Sequence, residues 1–156
     1  MGRAIAAVVV GYVVMALFVF ATFSAAYYIM GADGAYRPGV YDVSVLWIVI
    51  ALVLSLLAAL LAGWVAAAIA KTGKPVLALI ALVLVLGAVS AIMASGGAGD
   101  IPAVREADPT VFEAMRYSRQ PAWVAWLTPI IGAVGVFFGS ALKMKPWMGP
   151  GGPPPA

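Results

Sequence analysis

VSVLWIVIALVLSLLAALLAGWVAAAIA, residues Val43 to Ala70, runs for 28 positions without an Asp, Glu, Lys or Arg. About 20 apolar residues suffice for a helix to cross the hydrocarbon core of a bilayer, so length alone makes this run a spanning helix. The other structure that satisfies every backbone group in lipid is a closed barrel, whose strands alternate polar and apolar side chains over about ten residues. Ile48 to Leu54 does not alternate, and the barrel is rejected.

On either side of this run lie three more charge-free stretches, Ala4 to Met30, Pro75 to Ala94 and Pro121 to Leu142. All nine basic and six acidic residues fall in the segments between and beyond the four runs. Only 10% of the chain is charged and 65% is apolar, against roughly 25% charged in soluble domains, and a chain this short cannot hide that much apolar surface in one core. The expectation is an all-α integral membrane protein: a four-transmembrane-helix bundle over 1–145, with spans at about 4–30, 43–70, 75–94 and 121–142. The Pro/Gly-rich tail, 146–156, cannot build a core and reads as extended or mobile. Arg3 and Ser24-Ala25-Ala26 imitate a signal peptide, but the apolar stretch between them far exceeds the ~7–15 residues of a signal h-region. The first span therefore reads as retained, and the first two spans, at ~1.5 Å per residue, reach ~40 Å and should tilt or protrude.

Four spans put both termini on one side, with Arg3, Lys71, Lys74, Lys143 and Lys145; Arg37, Arg105, Arg116 and Arg119 lie on the other. The bases of the first set sit close to helix ends in short segments, which by the positive-inside rule places both termini in the cytoplasm of a bacterial-type inner membrane. Trp and Tyr favour the headgroup level, so Tyr27, Tyr28, Trp47, Trp123 and Trp126, with Tyr36 and Tyr41, are expected in a belt at the far interface.

Helices in lipid associate through close approach of small residues. The second span carries Ala51, Ser55, Ala59, Gly63 and Ala67 at steps of four; the third offers Gly87 and Ala91; the fourth has Thr128, Gly132, Gly135 and Gly139. Glycine costs a helix about 1 kcal/mol relative to alanine, so the last three mark a contact face, whether within the bundle or with another subunit. Pro129 is expected to bend the fourth span. In the longest loop, Thr110-Val111-Phe112-Glu113 fits a capping box and opens a short extracytoplasmic amphipathic helix between the third and fourth spans. Its strip of Val111, Phe112 and Met115 is a candidate partner-docking or membrane-surface face.

Histidine and cysteine are both absent, which removes imidazole-ligated haem, thiolate clusters, ordinary zinc sites and disulfides. No metal and no cofactor is expected, while lipid or pigment contact stays open. Ser24, Ser55, Ser90 and Ser140 have no intramembrane base to activate them and are expected to bond to nearby helix carbonyls. The small four-helix multidrug exporters are similar in size and span number, but their mechanism requires a glutamate inside the membrane, and this chain has no ionisable side chain in any span. Claudin-like and tetraspanin-like proteins carry extracellular cysteines, again lacking here. No catalytic residue is identified, and the chain does not read as an enzyme. The basic residues form no dense patch, so nucleic acid is not a partner. Membrane lipid and other integral membrane subunits, or a second copy, are. The function expected is a non-catalytic membrane subunit with a structural or assembly role. The competing reading is a passive oligomeric channel or small-solute facilitator along the fourth-span glycines.

Overall fold

Continuous apolar sequence with few helix breakers gives long helices, and four of them are long and apolar enough to cross a membrane, the architecture of a multi-pass membrane protein. They are α1 (Gly2–Ala35), α2 (Val45–Ala70), α3 (Gly73–Ser95) and α5 (Ala122–Met144), with the short α4 (Val111–Tyr117) before the last. The computed structural model describes residues 2–70, 72–95, 102, 104–105 and 109–144. Lys71, Asp100, Glu106, Asp108, Lys145 and the 146–156 tail, on which parts of the charge and tail readings rest, lie outside the described residues.

Local sequence sets the ends. Gly31 breaks α1 at φ 67°, a left-handed conformation that glycine adopts without a Cβ penalty, so the chain turns there before a last short helical stretch to Ala35. Ser44 caps α2: its hydroxyl accepts the Trp47 N–H at 3.0 Å and donates to the Gly34 carbonyl at 2.6 Å, tying the start of α2 to the end of α1. Pro75 falls in the first turn of α3, where a missing N–H is no loss.

Around the bundle the order is α1, α2, α5, α3, with the most extensive packing of α2 on α5 and on α1. Two cores form. At the end bearing the termini, Ala59, Ala62, Ala66, Val76, Leu79 and Val136 pack with Tyr12 and Met15 around them. At the loop end the buried set is Tyr27, Tyr36, Tyr41, Ile48, Ala114 and Val124, with Trp47 and Tyr117 partly buried beside it. Large side chains such as Ile29, Leu46, Leu77, Ile92 and Phe138 are exposed on the perimeter.

Candidate functional site

The close-packed end is built from backbone. A Cβ placed on Gly63 would lie 2.1 Å from the Val136 carbonyl oxygen, and one on Gly139 would lie 2.0 Å from that of Leu60. The two glycines thus face opposite ways across one contact, each letting the other helix's main chain reach it, the geometry in which Cα–H···O contacts form. Gly135 meets Ala59, Gly132 meets Val83 of α3, and Gly87 of α3 receives the ring of Pro129, whose Cβ lies 2.4 Å from the position a Gly87 Cβ would take. On α1, Gly11 sits against Leu79 and Ala66 in the same way. The α5 glycine row is therefore filled by α2 and α3 within this chain. Lys143, in the last turn of α5, places its ammonium 5.0 Å from the Trp64 ring centroid, a cation–π contact that also suits the negative helix end.

The loop end is built from side chains and long-range hydrogen bonds. The first loop and the segment after α4 are laced together: the Val43 N–H donates to the Arg119 carbonyl at 3.0 Å, and the Arg119 N–H to that of Tyr41 at 2.9 Å. Tyr27 donates its phenol proton to the Pro109 carbonyl at 2.7 Å, and Tyr36 donates to that of Ala114 at 2.8 Å. These bonds hold α4 as a roof over the bundle. Burial pushes the Tyr36 phenol up to about 12, against a lowering contribution from a hydrogen bond with Ser118. Arg105, its side chain only 5% exposed, pairs with Asp33 and lies over the Tyr36 ring. The box at the start of α4 is complete: the Thr110 hydroxyl accepts the Glu113 N–H, while the Glu113 carboxylate accepts the Thr110 N–H at 2.8 Å. The Thr110 N–H first, and then the Thr110 hydroxyl, which also donates to the carboxylate at 2.8 Å, hold the Glu113 carboxyl below its usual range.

Under this roof the helices stand apart. A cavity of about 870 Å³ lies among α1, α2, the end of α3, and the α4-to-α5 segment, with Arg116, Ser118, Arg119 and Gln120 in its wall. A deeper cavity of about 380 Å³ adjoins it and reaches Tyr12, Ser55, Ser90 and Thr128.

The residues singled out as packing positions therefore divide. Ala59, Gly63, Ala67, Gly87, Ala91, Gly132, Gly135 and Gly139 lie in close contact or in the buried core, whereas Ala51, Ser55 and Thr128 line the deeper cavity, as Gly87, Ala91 and Gly132 also do. Thr128 bonds back to the Val124 carbonyl at 2.8 Å and Ser140 to that of Phe137 at 2.7 Å. Ser24, Ser55 and Ser90 make no such bond among the described residues and border the cavities instead. Of the seven aromatic residues expected in the belt, four turn into the bundle. Tyr27, 8% exposed, and Trp47, partly buried, turn into the bundle and stack edge to face at 6.3 Å, because the Pro109 carbonyl gives the phenol a partner there. Tyr36 and Tyr41 are buried in the same cluster, while Tyr28, Trp123 and Trp126 are exposed.

On α4, Val111 packs on the loop-end cluster, and Phe112 and Met115 are 74% and 62% exposed. Sequence reasoning missed the cavity because it arises from the spacing of four helices. The signal that could have found it was the placing of Gln120 beside a proline at the mouth of α5, on the side where the aromatic residues gather. No protein-family model, curated protein or solved structure matches this chain, so its geometry is what bears on function.

Proposed function

We propose that the chain is a non-catalytic integral membrane subunit that packs against other membrane proteins, in a bacterial-type inner membrane with both termini in the cytoplasm. The observation that carries this reading is α4. Its Phe112 and Met115 are exposed, Met115 also bordering the larger cavity, on a helix whose other side is fixed by the buried Ala114, the Tyr36 bond and the capping box. Two large apolar side chains held out on a rigid seven-residue helix suit an anchor for another protein, since aromatic and Met residues are enriched at interfaces. The glycine faces are occupied inside the bundle, so the partner surface is the roof and the apolar perimeter. A passive pathway along the α5 glycines gains no support, because α2 and α3 fill that face.

The concentration of bases in short segments at the terminal end supports the orientation. Uncharged spans, lacking any histidine or cysteine, support a role without chemistry. Purification of the full chain in mild detergent should recover a stable hetero-oligomer, from which Phe112→Ser with Met115→Ser releases the chain still folded. A clean monomer under those conditions would sink the subunit reading, and an undisturbed complex with the double variant would remove α4 as its contact.

A further inference from the structure

We propose that the paired cavities at the loop end bind one anionic amphiphile, with its fatty chain running down between the helices and its phosphate or carboxylate held at Arg116 and Arg119. The inference requires that the spans sit in a bilayer; it does not depend on the partner reading. The larger cavity, about 870 Å³, and the deeper one, about 380 Å³, share Val19, Phe23, Ala51, Gln120 and Val124 on their common boundary. Each lies within the ~300–1,000 Å³ typical of small-molecule sites. Along α1 their lining extends from Tyr27 to Tyr12, about 22 Å at ~1.5 Å per residue, most of the ~30 Å hydrocarbon thickness. A site of that length suits a chain.

The charge is at one end. Arg116 and Arg119 line the larger cavity, Gln120 lies where it meets the deeper one, and the deeper one has no ionisable group except the Tyr12 phenol. Of the described acids on this side, Asp33 pairs with Arg105, Glu113 accepts from Thr110, and Asp42, whose backbone lies beside that of Arg119, makes no ion pair among the described residues. Arg116 lies 5.7 Å from the Tyr117 ring centroid, and neither it nor Arg119 is paired with a carboxylate among the described residues. Two cations above an apolar slot select an anionic head over a neutral one, which disfavours a quinone. Entry is from the side. α1 and α3 meet where Gly11 contacts Leu79, near the termini, and at the loop end exposed Phe20 and Met93 stand on the cavity rim.

The test uses the full chain, delipidated in dodecyl maltoside, titrated separately with dioleoyl phosphatidylglycerol, oleate, dioleoyl phosphatidylcholine and inorganic phosphate, with adducts counted by native mass spectrometry. One phosphatidylglycerol or one oleate per chain is expected, and the tighter of the two identifies the source as a membrane phospholipid or a free fatty acid. Phosphatidylcholine should bind about tenfold more weakly, and Arg116→Gln with Arg119→Gln should bring phosphatidylglycerol to that level. Ala51→Phe, and independently Ser90→Leu, fill the slot and should abolish the adduct while leaving a cooperative melt. Equal binding of phosphatidylcholine, phosphate binding as tightly as the amphiphiles, no adduct with either anionic amphiphile, or full binding in folded slot-filling variants would each overturn the proposal.

Discussion

The two ends of this bundle solve the same problem with opposite materials. Near the termini, α2 and α5 touch backbone to backbone through Gly63 and Gly139, so the contact tolerates no added atom. At the loop end Tyr27, Tyr36, Tyr41 and Trp47 set the spacing, and hydrogen bonds from phenols to distant carbonyls hold the roof. Small residues close the gap between helices and large ones prop it open, which is why the larger cavity lies at the loop end. Inside lipid the contrast follows from physics: apolar burial does not distinguish a neighbouring helix from a lipid tail, so surface fit and hydrogen bonds decide which helices meet.

Breaking the tight end should have the largest effect. Gly139→Leu forces α5 away from the Leu60 carbonyl, and a loss of about 3 kcal/mol, the upper range of overpacking, is expected in detergent unfolding; Gly73→Ala, whose Cβ meets nothing within 4 Å, should stay within about 0.5 kcal/mol. If both variants unfold alike, the tight end is not tight.

The loop end should give a smaller and more local response. Tyr36→Phe removes the bond to the Ala114 carbonyl, with an expected cost of about 1 kcal/mol and faster amide exchange concentrated in α4. The wild-type phenol is raised by burial to about 12 from 10.0, so its contribution is complete below the unfolded value and declines as pH climbs from there through the folded value. The phenylalanine variant should lack that alkaline decline, and identical alkaline profiles for the two proteins would contradict the buried-phenol account.

The smallest effect belongs to the α4 cap. Glu113 titrates below its usual 4.5 because it accepts from Thr110. Its contribution is therefore present above the unfolded value and lost as pH falls through the lower folded value. Acidification should raise amide exchange in α4 before it affects α2 or α5, and Glu113→Gln should flatten that dependence. Simultaneous loosening of both ends would mean that α4 is not an independent roof.

Much of the architecture was legible from where charges are missing. Four uncharged runs mark the four long helices to within a few residues, since a spanning segment excludes charge whatever its neighbours do, and Thr110 with Glu113 marks a helix start by chemistry confined to four residues. The site was less legible. The glycines of α5 could be read as a contact face but not assigned a neighbour, because Gly135 looks the same beside Ala59 as beside another chain. Tyr27 reads from sequence as a belt residue, since an aromatic side chain near a span end serves as an anchor unless a carbonyl 82 positions away, that of Pro109, reaches it.

Local composition and residues a turn apart are enough to set the number and approximate length of the helices, the chemistry denied by the missing His and Cys, and the capping of α4. Tertiary structure decided that the glycine faces meet within one chain, that the tyrosines turn inward, and that Gln120, Arg116 and Arg119 gather over an apolar slot. Each of these depends on which helix stands beside which. In a chain whose spans are almost uniformly apolar, that choice rests on close backbone contacts at a few glycines, which no single helix's sequence records.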